Sequence, residues 1–559
     1  MRVRARTIRS TTATTGSLLV LTLLAGCSGA AGPQGPGSAG GGVLTIGMPN
    51  GPQANNSNPL LDTSASASLG YRAMIYEPLA VTNSVRPEQD PKPWLAESWE
   101  WNADHTEVAL TIRSGPTWSD GETFDAADVA FTFEMLMGND ALNMYSLPFE
   151  DVAREGDTVT LSFGSPQYVN EFRILDTYIV PEHIWSQVED PAAFENQEPV
   201  GTGPFVLESF TQQAVTLTRR DSYWQDLPAV EELRYTSYND NNAQTTALAN
   251  GDCDWSWVFI PNYEQVYVER DAEHNDLWFP TGLSIDALWV NNEVEPFDDP
   301  ELRRAMSMVI DRAAISEQAE AGLFPALTSP TGLPMPAGET FLSAEYADAG
   351  LSVDVEGAQQ VLRDAGYQLD GDTLRTPEGD PVTLTLTDPA GWSDYLTALS
   401  IIDDNLAAIG IDAKVETQTA DAWTNAVNEG EFEATLHWTN GGATPYDMYQ
   451  HIMDGTLYQP VGEAAPGGNF ARFRNDEADR ALRDYAEATD EAVRAEALDT
   501  LQRVMAEEVP VIPTVARPAG AEYRIESWTG WPDADDPYAN PQPTQRGALD
   551  IVLQLEPAA

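Results

Sequence analysis

The sequence predicts an α/β protein built from more than one globular unit. Three observations carry this expectation. A strand, a loop, a helix closed by glycine and another strand recur along the chain in that order. The 559 residues are too many for a single hydrophobic core. A hydrophobic fraction of 42% with 9% aromatic residues is that of a folded chain, so disorder is not the starting assumption.

Taken in order, the chain opens with "MRVRARTIRS", carrying Arg2, Arg4, Arg6 and Arg9, and an apolar run follows in "GSLLVLTLLAGC". The run is too short to span a bilayer and has a basic start, so residues 1–26 read as a secretory signal peptide. The segment "LLAGCSG" resembles a bacterial lipobox, which implies cleavage before Cys27 and lipid attachment to its sulfur. The expected location is therefore extracytoplasmic, with the lipid anchoring the protein to the outer face of the cytoplasmic membrane. Residues 27–42 are rich in Gly, Pro and Ser and form a flexible linker. With Cys27 lipidated, Cys253 has no partner for a disulfide and reads as a small buried filler.

Folding starts at "VLTIGMP", where Leu44, Ile46 and Met48 alternate with Val43, Thr45 and Gly47. Val108, Leu110 and Ile112 alternate before a helix that begins at Asp125, the pattern of a smaller α+β lobe. Asp299 and Pro300 mark a helix start, with Leu302, Ala305, Met306, Val309 and Ile310 facing inward. In "DPAGWSDYLTALSIID" a strand ends near Thr387, a turn carries Gly391 and Trp392, and Tyr395, Leu399, Ile402, Leu406 and Ile409 share one helical face. Gly410 ends that helix before the strand Ile411, Ala413, Val415.

Charge narrows the partners. Eighty-eight acidic residues against 29 basic give a net charge of −59, a field that repels nucleic acid and anionic membrane surfaces. The acids are spread along the chain without ligand spacing and read as a solvated shell. The five histidines form no metal-binding motif, "GTGPF" is too short for a dinucleotide loop, and no GxSxG elbow is present. No catalytic residue, metal or cofactor is expected.

Four stretches in order, "PWLAESWEWNADHTEVALTIRSGPTWSDGETFDAADVAFTFE", "VGTGPFVLESF", "LWVNNEVEPFDDPELRRAMSMVIDR" and the Trp392 fragment with "IGIDAKVE", resemble the family 5 extracellular solute-binding proteins of bacterial ABC importers. The resemblance implies a two-lobed periplasmic-binding-protein fold of type II, the Venus flytrap, with an extra small α+β lobe. Mapped on this chain, lobe I would take 43–85, 197–280 and 514–559, the small lobe 86–196, and lobe II 281–513. It further implies a monomer that binds a small oligomeric solute and passes it to an ABC permease and its ATPase.

Peptide-binding members place an aspartate near a "W-x-x-D-Y-x-D-P" motif for the ligand's α-amino group. The corresponding stretch here is "LHWTNGGATPYDMYQ", where Trp438 is kept but Asn440 or Gly441 fills the acidic position and Asp447 lies further on. "SPTGLP", "GWSDY", "CDWSWVFIPN" and "LWFPTG" resemble the carbohydrate-binding branch, so an oligosaccharide is preferred over an oligopeptide. Indole faces suit pyranose C–H faces, and amides suit hydroxyls. The candidate binding residues are Trp392, Trp438, Trp255, Trp257, Asn56, Asn440 and Gly441. Each tryptophan has core packing as its competing role, and Asn56 a turn. A secreted glycoside hydrolase and an orphan sensor of the same fold are the rival functions.

Overall fold

The computed structural model describes residues 42–86, 89–488 and 490–558; the expected signal peptide, Cys27 and nearly all of the linker lie outside them. Two large sheets and one small one organise these residues. The first has seven strands in the spatial order Asn275–Trp278, Ala521–Arg524, Trp255–Ser256, Val43–Met48, Glu232–Ser237, Ala214–Arg219 and Phe205–Phe210. Val43–Met48 lies at its centre, parallel to both neighbours, with Leu44, Ile46 and Met48 buried as the alternation requires.

The second sheet has five strands, in the order Asp412–Gln418, Thr383–Pro389, Ala434–Trp438, Ile285–Val290 and Ile512–Ala516. Every residue of Ile285–Val290 is buried, because helices cover both faces. Ala287 and Trp289 enter one apolar cluster, Leu288 and Val290 the other. The expected division at residue 514 falls inside Ile512–Ala516, which pairs with Ile285–Val290; the chain leaves the second lobe after Ala516.

A four-stranded antiparallel sheet, Ala96–Trp101, Glu107–Ile112, Thr158–Phe163 and Phe149–Glu155, packs with the helix Ala126–Met137. Asp125 and Asp128 close a capping box at that helix's start. The small sheet shares its apolar core with the first large sheet.

Among the described residues, only the segments 279–284 and 517–520 connect a strand of one large sheet directly to a strand of the other. They lie side by side, with the Arg517 amide donating to the Ser284 carbonyl at 2.9 Å. A Cβ on Gly520 would stand 2.3 Å from the Phe279 ring, so the close approach of the two crossings requires glycine there. A pair of adjacent crossings is the structural form of a hinge.

Candidate functional site

The turn after Thr383–Pro389 carries the first wall of the site. Trp392 occupies the N-cap position of the helix Ser393–Ala407 without capping it. Its half-buried ring stands edge-on to Trp423 at 5.0 Å and Tyr395 at 5.6 Å, and lies 6.2 Å from Trp438. The indole N–H reaches across to the first lobe and donates to the Pro49 carbonyl at 3.2 Å. Beside it, the Asn241 amide donates to the Gly391 carbonyl at 3.2 Å, and the Asn241 side chain to Asp394 Oδ1 at 2.9 Å. A side chain at residue 391 would strike the Asn239 carbonyl at 2.5 Å, which is why the turn carries glycine.

The second wall is a clamp. Arg517, the first residue after the second sheet, places its guanidinium 4.9 Å from the Trp438 ring and 5.3 Å from the Trp257 ring. Trp438 ends a strand of the second lobe, whereas Trp257 follows Trp255–Ser256 of the first. Trp257 also stacks on Phe324 of the second lobe at 5.9 Å and packs against the cores of both lobes. The two tryptophans therefore grip one cation from opposite lobes, a favourable arrangement for indole faces.

Around Arg517 lies an excess of acid. Its Nη1 donates to Asp286 Oδ1 at 2.8 Å and to the Tyr395 hydroxyl at 3.2 Å, and that hydroxyl donates to the same Asp286 oxygen at 3.1 Å. Asp286 is 1% exposed, and its Oδ2 has no hydrogen-bond partner among the described residues. Asp388 is fully buried and accepts from the Leu436 amide and the Thr435 hydroxyl. Loss of hydration pushes Asp394 up to about 6 and holds Asp388 and Glu320 well above the ordinary carboxylate range; neighbouring negative charge adds to each. Burial drives His437 down to about 3, so the ring is neutral and supplies no balancing charge. Its Nδ1 is 2.6 Å from the Trp438 carbonyl and donates to it.

The structure brings Trp392, Trp438 and Trp257 to the interlobe boundary, with Asn440 and Gly441 following Trp438. The Asn440 amide donates to His451 Nδ1 at 3.3 Å, and Gly441 lies against Ser284 of the crossing segment. Trp255 is corrected: it is 0% exposed, its N–H donates to the Pro541 carbonyl at 2.7 Å, and Trp531 packs on its ring, so it belongs to the core. Asn56 is corrected as well. Its Oδ1 accepts from the Asn58 amide at 3.0 Å, which spends it on a turn. Asp447 does not stand in for the missing motif acid, because Arg173 of the small lobe binds it at 2.9 Å with both groups buried.

Sequence reading missed Asp286, Glu320, Arg517, Asn241 and the buried pair His437 and His451. The signal nearest to hand was Asp394, two residues after Trp392 in the same turn. Away from the cleft, ligand atoms of Asp271, His274 and Glu526 lie within 4.8 Å of one another, but Arg524 already binds both carboxylates.

Comparison with known proteins agrees with this architecture. The family model described as bacterial extracellular solute-binding proteins, family 5 Middle, matches residues 90–458. The oligopeptide-binding protein AppA of Bacillus subtilis is 24% identical over 493 residues, covering 84% of this chain and 85% of that protein. The nickel-binding periplasmic protein of Escherichia coli is 24% identical over 407 residues, 68% of this chain and 72% of its own. Among solved structures, a periplasmic oligopeptide-binding protein of an oligopeptide ABC transporter from Thermotoga maritima, with mannohexaose bound, superposes with a TM-score of 0.84. It is 25% identical and covers 92% of this chain and 99% of that chain. AppA in complex with a nonapeptide gives a TM-score of 0.77 at 22% identity, covering 93% and 99%. With the two-lobed fold, the paired crossings and a family match over well more than half its length, this chain belongs to the family 5 bacterial extracellular solute-binding proteins.

Proposed function

We propose that the protein is the substrate-binding lipoprotein of an ABC importer. It captures an oligomeric solute between its lobes outside the cell and delivers it unaltered to the permease. The observation that carries this reading is the pairing of Trp257 and Trp438, one from each lobe, across a hinge of two adjacent segments. A solute gripped by both lobes favours the shut form by its differential affinity, which lets a permease tell loaded from empty receptor. The lipid on Cys27 would hold this head at the membrane. Among the described residues no helix is long and apolar enough to cross a membrane, which fits a tethered head.

Both an oligosaccharide and an oligopeptide suit a wall of half-buried indoles. The relatives include proteins named for peptides, and the superposed Thermotoga maritima protein carries mannohexaose. Small-angle scattering with calorimetry on the purified protein tests the reading, using mannohexaose, short peptides and metal chelates. Compaction with heat from one class is expected. A protein that keeps one scattering curve across all classes is not a receptor of this kind, and release of reducing ends from an oligosaccharide would make it a glycoside hydrolase.

A further inference from the structure

Resting on the receptor reading, we propose that the solute carries a cationic group, an ammonium or guanidinium, held by Asp286, Glu320 and Asp394 beside the Trp257–Trp438 clamp. The argument is one of charge balance in a space with little water. Asp286 and Asp394 lie within electrostatic range of each other and of both Glu320 and Asp388, and Arg517 faces Asp286 and Glu320. Arg517 balances one carboxylate and is already committed to Asp286 Oδ1. Asp388 is satisfied by a backbone amide and a hydroxyl.

That leaves three acceptor positions. Asp286 Oδ2 is buried without a partner among the described residues, and Glu320, 3% exposed as a residue, has Asp286, Asp394 and Arg517 as its charged neighbours. Asp394 accepts from Asn241 of the facing lobe, a neutral donor. Buried carboxylates normally have partners, because a charge removed from water without one is costly. With one guanidinium among four carboxyls, burial makes the group hold on to protons that a bound cation would displace, and the half-buried Trp257, Trp392 and Trp438 nearby are surfaces that also favour cations. A neutral hydroxyl would satisfy Asp286 Oδ2 but leave the charge unbalanced, and an anionic solute would worsen it. The motif position filled by an acid in peptide binders holds Asn440 or Gly441 here, and Asp447 is bound to Arg173, so charge recognition has moved to the clamp side of the cleft.

An α-amine or basic side chain of a peptide, or the amine of an amino sugar, would supply the cation, and matched pairs of probes separate the two sources. The full chain is titrated calorimetrically, with scattering in parallel, against tri-alanine and N-acetyl-tri-alanine, tri-lysine, the glucosamine tetramer and the N-acetylglucosamine tetramer, and mannohexaose. The amine-bearing member of at least one pair, or tri-lysine, is expected to bind at least tenfold more tightly than the acetylated or neutral probes. Glu320→Gln and Asp394→Asn are expected to cut that preference below threefold while the unliganded variants melt no lower than the parent. Equal binding of acetylated and free members overturns the proposal, as does closure by mannohexaose with no response to any amine; in both cases the receptor reading survives. If no probe compacts the protein, both fall.

Discussion

Glu77 and Glu320 are the same residue type, each buried, at 0% and 3% exposure, and burial raises the carboxyl of both above its ordinary range. Their surroundings differ. Glu77 sits where the first lobe meets the small lobe and accepts from Trp94 Nε1 at 2.7 Å, the Tyr223 hydroxyl at 2.7 Å and Trp224 Nε1 at 2.9 Å. Glu320 lies near Asp394, Asp286 and Arg517, and no such donors hold it among the described residues. One buried acid is knitted into the fold and the other is left short of partners. A buried carboxyl without such donors is the exception in a folded protein, and it is the one that the proposed cation would satisfy.

The largest expected effect breaks this comparison directly. Glu77→Ala strands two indole N–H groups and a hydroxyl, each unsatisfied donor costing about 1–3 kcal/mol, so a loss of at least about 3 kcal/mol is expected. Glu320→Gln removes a buried titratable carboxyl and strands no donor, so it should leave stability unchanged or raise it. Urea unfolding of both variants checks the pair. Equal losses would mean that Glu320 is knitted in as firmly as Glu77.

A medium effect separates the acids by pH. The carboxyl of Asp394 is raised to about 6 from an unfolded value near 3.8, so between these values the folded protein binds more protons than the unfolded chain. Its contribution is present at low pH and lost as pH rises through about 6. Asp394→Asn should therefore gain stability over the parent between pH 5 and pH 7, by about 1–3 kcal/mol. Asp176, which burial raises to about 6 against the opposing pull of Arg546, cancels because it is present in both proteins. A difference that stays flat across that range would place Asp394 in a compensated environment.

How much of this was written in the sequence depends on the range of the interaction concerned. The local pieces were legible. Asp299 caps its helix with Pro300 in the first turn, Asp125 opens the helix Ala126–Met137, and Gly410 takes the left-handed conformation at φ 82° that ends the helix before Asp412–Gln418. Motif order was enough for the two-lobed fold. Trp255 and Trp257 show where a local rule ran out. Period-two alternation puts both on one strand face, but the strand stops at Ser256, and Trp257 is released to the interlobe boundary while Trp255 stays in the core. The acid cluster was illegible for a different reason. Asp286, Glu320, Asp388 and Asp394 are four of 88 acids, and what singles them out is the solvent and partners they lack, which appears only when distant segments meet. Asp447 is the same case in reverse, since its partner Arg173 stands 274 residues away.

The smallest effect concerns Trp392, whose place in a turn invites both a core and a cleft reading. Edge-on packing against Trp423 and Tyr395 would be kept largely intact by Trp392→Phe. What phenylalanine cannot supply is the N–H that donates to the Pro49 carbonyl of the facing lobe. That bond exists only while the lobes meet, so its loss should leave unfolding of the separated lobes unchanged and weaken the shut form alone. A net hydrogen bond is worth about 0.5–1.5 kcal/mol, so solute affinity should fall roughly two- to tenfold, with the dissociation rate rising more than the association rate falls. A stability loss with unaltered affinity would mean that the ring works for its own lobe, and the contact with Pro49 would then be incidental to closure.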